Sequence, residues 1–594
     1  MGRRSQAKTK RPLMKSARLW VPVCIAVVVV TLTVIAIVLA TRALAAKGSL
    51  EQAIPLAQRV QAQIVAGDST ASATADELAD HTAEARAQTD SPLWRAFEWV
   101  PVLGSNLEAV RLAAKSTDEL VKGAVQPAAA LSLDALKPVD GAFDLASLAE
   151  LADVVDGATA TVRAVAEELD TIDRGELLDP VADGIEQLDN TVANGEPILE
   201  TAQRTLRVLP AALGADGPRR YLMMFQGNSE ARSLGGNPAA LLVLRVDGGA
   251  VSIAQQASSF DFENARSTPV MELDPEAVAI YGDKIGRWIP DITMTPDFTY
   301  SAALMRAYWA ETFGTPIDGV ISFDPVALSY LLTATGPLTL TTGEQLTAEN
   351  AVSLLLNEVY FRYEEPSMQD AFFAATAGTV FTSLTRGGAE PQALVAALAR
   401  AVDERRLMYA PSSDAEADAI AGTSIAGRLP TTNEEVTTLG VFVNDNTASK
   451  KDYYIDMAIV AHATRCEVNA PPKFTGTVTL TSALDEATAA GLPDYVRGPY
   501  FAPDTISTYL VLYGPVGGSL TAVTLDGTPA EILSSGNHLG RPAVKVEVRS
   551  GPLSVHEVGF TFTGPEGGEE GGPIEVRHTP MVRNTPVSVS EPRC

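Results

Sequence analysis

The hydrophobic pattern changes period several times along the chain. Trp20 to Ala40 is almost wholly apolar, interrupted only by Pro22, Thr31 and Thr33. About 20 such residues are enough to cross a bilayer as a helix. From Ser49 to Leu209 the apolar positions recur in helical steps. One series is Leu145, Leu148, Ala152, Val155, Val162, Val165, Leu169 and Ile172; a second is Leu177, Val181, Ile185, Leu188 and Val192. Steps of three, four and seven place each series on one helix face. Pro92, Pro101, Pro127, Pro138, Pro180 and Pro197 punctuate the region and predict helix ends. An antiparallel helical bundle or stalk is therefore expected over residues 49–210.

From Arg219 to about Tyr409 the pattern alternates between short apolar runs and helical periods. Tyr221 to Phe225 and Ala239 to Val246 read as buried strands, and Asp247-Gly248-Gly249 reads as the tight turn into a third. Between the first two lies a charged, Gly-rich stretch, Glu230 to Gly236, expected to be a loop held between strands. Helices are predicted over Ser301 to Phe313, with an Asp or Thr cap before it, and over Pro325 to Thr335, with Asp324 as cap and Gly336-Pro337 as stop. Further helices are expected from about Thr347 to Tyr363, Met368 to Leu384 and Pro391 to Arg406. Pro316 to Asp324 reads as a strand. Such alternation indicates an α/β head over 217–410. Residues 411–435 read as a linking segment. Over 436–563 short alternating strands separated by Gly and Pro turns predict a β-sandwich. The tail 564–594, containing GPEGGEEGGP, has little to bury and is expected to be disordered. The predicted class is thus α+β and multidomain: a transmembrane helix over 19–41, then stalk, head and sandwich.

Charge sharpens this picture. The formal net charge is −28, which argues against a nucleic-acid partner, since phosphate binding needs a basic face. Residues 1–18 run the other way, with seven Lys or Arg and no acid. A basic tail before an apolar span favours a cytoplasmic N-terminus, with the bulk of the chain extracytoplasmic. The competing reading is a cleaved signal peptide. Its apolar core would run about 7–15 residues, shorter than this one, although Ala40 to Ala46 resembles a cleavage site. Cys24, Cys466 and Cys594 lie too far apart for a zinc site; the one disulfide available outside the membrane is Cys466 with Cys594. None of the five histidines lies in the α/β block, and no Ser-His-Asp grouping is visible.

The stretch Phe225-Gln226-Gly227-Asn228-Ser229-Glu230-Ala231-Arg232-Ser233-Leu234-Gly235-Gly236 resembles the signature of a bacterial envelope family, domain of unknown function 4012, with Gly227 where an Asn usually stands. Trp94 to Gly104, Val441 to Asn446, Lys451 to Tyr454 and Gly491 to Val496 are similar to further family motifs, carrying the resemblance from Trp94 to about Phe562. It implies a membrane-anchored envelope protein and no established activity. A fainter resemblance points to the LytR-CpsA-Psr glycopolymer transferases. It rests on Leu241 to Asp261, on Ile317 to Pro337, and on Phe361-Arg362-Tyr363 with Gln369-Asp370. This chain departs from that family's arginines: Ser259-Phe260-Asp261 stands for Pro-Arg-Asp, and Met368-Gln369-Asp370 for Arg-Gln-Gln.

Two sets of site residues follow. Asn228, Glu230, Arg232, Gly235 and Gly236 are candidates for ligand binding, because a Gly pair lets backbone amides approach an anion and an arginine adds a charge-assisted bond. The plainer reading is a loop closed by a Glu230–Arg232 ion pair with glycines at positive φ. No Gly-Lys-Ser/Thr follows, so this is no Walker motif. Asp261 and Arg362 are catalytic candidates by resemblance alone; Arg362 is more simply a surface ion pair with a neighbouring glutamate. Asp261, Asp297 and Asp324 could hold a divalent cation such as Mg, although the last two are also helix caps. Asn444-Asp445-Asn446 reads as turn chemistry, with calcium the alternative. Trp94 and Trp99 read as packing residues, or as contacts with the membrane–water interface.

The expected function is a single-pass extracytoplasmic envelope protein that binds or organises surface glycopolymer or envelope partner proteins. The alternative is a divergent phosphotransferase moving glycopolymer from a polyprenyl-pyrophosphate carrier, with Arg232 and Arg362 on the pyrophosphate. The feature that separates them is whether those two arginines converge on one deep apolar pocket.

Overall fold

The computed structural model describes residues 17–66, 68–131, 138–464, 470–566 and 571–591. The basic residues Arg3 to Lys15 lie outside this set, as do Cys466 and Cys594, so the disulfide expectation lies outside the described residues. The protein is mixed α+β and divides into two compact units: Met1–Ser132 with Glu150–Gln203, and Leu133–Ala149 with Arg204–Cys594.

The first unit is helical. Its first helix, Ala17–Ala66, is 50 residues long, about 75 Å at the α-helical rise. Its N-terminal part is long and apolar enough to cross a membrane. Beyond the expected span it continues without a break into the bundle, where Ala53, Leu56 and Val60 pack with Ala71, Ala75 and Leu78 of the helix Ala71–Thr89. The helix Leu103–Leu120 contributes Ala109 and Leu112 to a second cluster with Val162, Val165, Leu169, Ile172, Ile185 and Val192. The second apolar series and the later half of the first, from Val162 to Ile172, therefore face a shared core.

The second unit carries a five-stranded sheet built from β1 (Arg219–Arg232), β2 (Gly235–Asp247), β3 (Ala250–Ser258), β4 (Gly319–Phe323) and, after the small hairpin β5 (Leu338–Thr339) and β6 (Gln345–Leu346), β7 (Leu407–Pro411). The order is β3-β2-β1-β4-β7. Only β1 and β4 run parallel, so the chain between them must cross over, and the helix Phe298–Phe313 lies in that connection. β7 is a strand the sequence pattern did not announce; only five residues long, it begins just past the helix end expected at Arg406. Side chains alternate between the sheet's faces. Leu222 and Met224 join Phe298, Met305 and Trp309 in one core, while Met223 and Phe225 face another that includes Phe323, Leu328 and Leu355.

Two further sheets follow from β8 (Thr437–Asp445), β9 (Ile455–Thr464), β10 (Lys473–Ser482), β11 (Ile506–Tyr513), β12 (Ser519–Leu525), β13 (Thr528–Pro529), β14 (Ile532–His538), β15 (Arg541–Ser550), β16 (Val555–Thr563), β17 (Ile574–His578) and β18 (Val587–Ser590). The orders are β13-β12-β16-β10-β9-β18 and β14-β15-β11-β8-β17. Val441, Val443, Leu510 and Val546 of one sheet share a core with Ile459, Val478, Val558 and Phe560 of the other. That core is continuous with the one beneath β4, so the expected head and C-terminal region form one body, and residues 411–435 do not separate two units.

The expectation of a disordered tail is corrected here. β17 pairs in parallel with β8, and β18 with β9. Ile574 and Val576 alternate inward and are buried, so even a short apolar alternation completes a sheet edge when a strand already waits there.

Candidate functional site

The stretch Glu230 to Gly236, expected as a loop, is the tip of a paired hairpin. β1 runs through Arg232, β2 starts at Gly235, and the two pair as Ala231 with Gly236 and Arg232 with Gly235. The ladder shifts register between Gly227 and Ala231, a bulge that turns side chains away from simple alternation. Two residues, Ser233 and Leu234, make the turn. Gly236 is forced by proximity: a Cβ there would lie 2.3 Å from the Gly227 carbonyl. Gly235 has φ +127°, in the region glycine favours. The Gly236 amide donates to Gln226 Oε1 at 2.8 Å, so this backbone group is satisfied within the hairpin.

The charged side chains are buried and paired. Arg232, 4% exposed, donates to Glu230 Oε1 at 2.9 Å, to Asp291 Oδ1 at 2.9 Å and to the Ala231 carbonyl at 2.9 Å. Glu230 also accepts from Asn237 Nδ2 at 2.7 Å and from Lys450 Nζ. Burial opposes its charge, but Lys450 and Arg232 hold its carboxyl below the usual range. Asp452 accepts from the Ala231 amide at 2.8 Å. Asp445 accepts from the Thr447 amide at 2.9 Å. Burial pushes both carboxyls up, and each is raised further by a neighbouring acid: Glu230 for Asp445, Asp445 for Asp452. Asp452, well above its ordinary range, is the natural holder of a proton in this crowded group.

A second node adjoins the first. Asp324 caps the helix Pro325–Thr335 by accepting from the Ala327 amide at 2.7 Å. The same carboxylate accepts from Asn228 Nδ2 at 2.9 Å and pairs with Arg406 at 2.8 Å. Asn228 also donates to the Pro580 carbonyl at 3.0 Å, and Arg406 to the Met581 carbonyl at 2.9 Å. Thr579 donates to the Ser233 carbonyl at 3.2 Å and accepts from the Val443 amide at 3.0 Å. Asn444 brackets Ser233, accepting its amide at 3.1 Å and donating to its hydroxyl at 3.0 Å. The hairpin tip is thus gripped by β8, by Lys450 and Asp452 beyond it, and by the segment after β17.

The catalytic candidates lie apart from this network. Asp261 is exposed and closes a capping turn, accepting from the Ser258 amide at 2.7 Å. Its charge is felt by Asp370, whose carboxyl is pushed up mainly by burial and then by Asp261. Arg362 pairs with Glu344 and, at 2.8 Å, with Glu358, so the surface-pair reading describes its contacts. It shares no hydrogen-bonding partner with Arg232. Tyr363, next in the chain, lines an apolar cavity of about 240 Å³ with Leu340, Met368 and Phe372. Asp297 caps the helix Phe298–Phe313, accepting from Tyr300 at 3.2 Å. The three proposed metal carboxylates have separate tasks, and among the described residues no group of three or more His, Cys, Asp or Glu is placed to hold a metal.

Residues 216–360 match the family model described as protein of unknown function, DUF4012. The match contains the whole β1–β2 hairpin, Asp291 and Asp324. It stops short of Arg406, Lys450, Asp452 and Thr579, which complete both nodes, and it is narrower than the resemblance read from Trp94 to Phe562. The comparisons lend no support to the LytR-CpsA-Psr resemblance. No curated protein matches the chain. Among solved structures, an M1 zinc metallopeptidase mutant from Deinococcus radiodurans is similar at 17% identity and TM-score 0.11, over 19% of this chain and 20% of that one. A likeness that slight carries no argument.

Asn228, Glu230 and Arg232 share this network with Arg406, Lys450 and Thr579, which no sequence pattern singled out. Lys450 precedes the Lys451-Asp452 motif, which was a usable signal. Thr579 was hidden in a tail read as disordered.

Proposed function

We propose that this is a single-pass envelope protein, anchored by its first helix, whose extracytoplasmic bulk binds or organises surface glycopolymer or envelope partners. Its C-terminal sheets act as a β-sandwich clamped onto the head. The observation that carries the reading is the state of the hairpin charges. Arg232 and Glu230 are consumed by internal partners, which supports a rigid binding body over an open pyrophosphate site. The basic tail before the apolar run supports an N-terminus in the cytoplasm. Protease added to intact cells should digest the bulk of the chain; protection until lysis would reverse the topology. Purified protein should co-sediment with isolated cell-wall material and be released by competing soluble polymer. Absence of saturable binding would remove the glycopolymer role.

The phosphotransferase alternative draws on one observation, the largely apolar cavity lined by Tyr363, which follows Arg362 in the chain. An isoprenoid chain suits such a lining, and Arg362, released from Glu344 and Glu358, would supply the fork for a pyrophosphate. Saturable binding of polyprenyl pyrophosphate, stimulated by magnesium and lost in Arg362→Ala, would favour this second reading. Binding unchanged in that variant would remove it.

A further inference from the structure

The short turn after Trp94 leaves one large apolar side chain mostly exposed and two more about half exposed. Trp99 is 79% exposed, Val102 52% and Leu103 47%. Trp94 behaves oppositely. It is fully buried, and its indole donates to the Leu107 carbonyl at 2.8 Å. It packs on Leu39 and Leu107, with Ile35, Ala43 and Phe97 against the same cluster. Ile35 and Leu39 belong to the apolar run of the first helix. The turn is therefore fixed against the end of the stretch that is long and apolar enough to span a bilayer.

Its backbone is built to hold this display. The Leu103 amide donates to the Pro101 carbonyl at 2.7 Å, and Val102 has φ 64° and ψ −49°. That is a γ-turn of the strained kind, costly for a β-branched residue. Gly104 allows the chain to close behind it, since a Cβ there would lie 1.9 Å from the Glu98 carbonyl oxygen. Glu98 is itself held by Arg111 at 2.6 Å. A rigid turn that pushes Trp, Val and Leu outward beside a membrane-spanning segment has one fitting environment. Tryptophan favours the boundary between headgroups and acyl chains.

We propose that Trp99, Val102 and Leu103 insert into the headgroup–acyl boundary of the leaflet on the folded side of the membrane, as a second attachment beside the spanning helix. This rests on reading the first helix as a span. A single span leaves a helix free to tilt and rotate; tilt is set by packing and by interfacial anchors. The second attachment fixes how the helical unit leaves the membrane.

The test uses the full-length protein in phosphatidylcholine liposomes, with and without bromine on the acyl chains. Tryptophan fluorescence is compared for the wild type, Trp99→Phe and Trp20→Phe. Bromine should quench a component that disappears in Trp99→Phe while the circular dichroism of the bundle is unchanged. Quenching that is reduced only by Trp20→Phe would keep the span and overturn the second attachment. Absence of bromine quenching in all three proteins would overturn the span and the attachment together. Crosslinking of two copies through a cysteine introduced at position 99 in detergent, without lipid quenching, would assign the patch to a second copy and overturn the lipid contact.

Discussion

The two units each bury a charge, and they do it differently. In the helical unit Asp118 is fully buried, with Arg86 at 3.0 Å, Lys122 at 2.8 Å and Thr82 at 3.4 Å. Its cations remain in water: the Arg86 side chain is 35% exposed and that of Lys122 50%. Lys122 is one helical turn away. In the β-rich unit Arg232 and Lys450 are both enclosed, and the partners come from residues 59 and 220 positions apart. The first arrangement joins two helices, 32 positions apart at Arg86, and is half solvated. The second exists only when the hairpin, the segment holding Asp291 and the turn after β8 have come together. A buried pair is expensive to break because the survivor is left charged and unpaired, so the second should behave as a cooperative latch and the first as an ordinary stabilising contact.

The largest expected effect is Arg232→Ala. It leaves Glu230 and Asp291 without their shared partner, at a cost of about 3–5 kcal/mol, read as a shift in denaturation midpoint of the β-rich unit. A loss below about 1 kcal/mol, the range of exposed pairs, would erase the contrast between the units. Asp452→Asn probes the crowding of acids in the latch. Its folded carboxyl sits well above the ordinary range, so its stabilising contribution is complete below the unfolded pKa of about 3.9 and is lost as pH rises through the folded value. The wild type should therefore weaken with rising pH at up to about 1.4 kcal/mol per pH unit in that window. The asparagine variant, still able to accept from the Ala231 amide, should lack that slope and be more stable at pH 8. Identical pH profiles would show that Asp452 holds no proton.

In the helical unit, Asp118→Asn should cost about 1–2 kcal/mol, since its partners recover water. A cost as large as that of Arg232→Ala would make the two units alike. Arg362→Ala should change stability by less than about 1 kcal/mol, its pairs being exposed; added salt should weaken the wild-type pairs and shrink the difference further.

Much of the fold was legible because it rests on local periods. The caps at Asp297 and Asp324, and the helix Pro325–Thr335, followed from one residue type before an apolar series. The strand Lys473–Ser482 announced itself by alternation from Thr475 to Leu484, and Arg541–Ser550 by the turns that bound Arg541 to Arg549. The candidate site was legible as a set of residues but not as an environment. Gly235 and Gly236 read as an anion-binding loop or, more plainly, as a loop closed by a Glu230–Arg232 ion pair. Choosing between them needed Asn444, Lys450 and Asp452, which no local pattern ties to Arg232. β7 and β17 escaped for a related reason: the neighbour that stabilises each is far away in sequence.

By itself the sequence determined the apolar run, the helical stripes, the acidic balance and the choice of residues in the hairpin, because each is set by hydrophobicity, charge or a steric rule within a few positions. Tertiary structure alone decided that the hairpin's charges face inward, that Asp324 meets Arg406 and Asn228, and that the tail closes the lock. Ion pairs and sheet edges are satisfied by whichever group arrives through space, and sequence distance does not constrain that meeting.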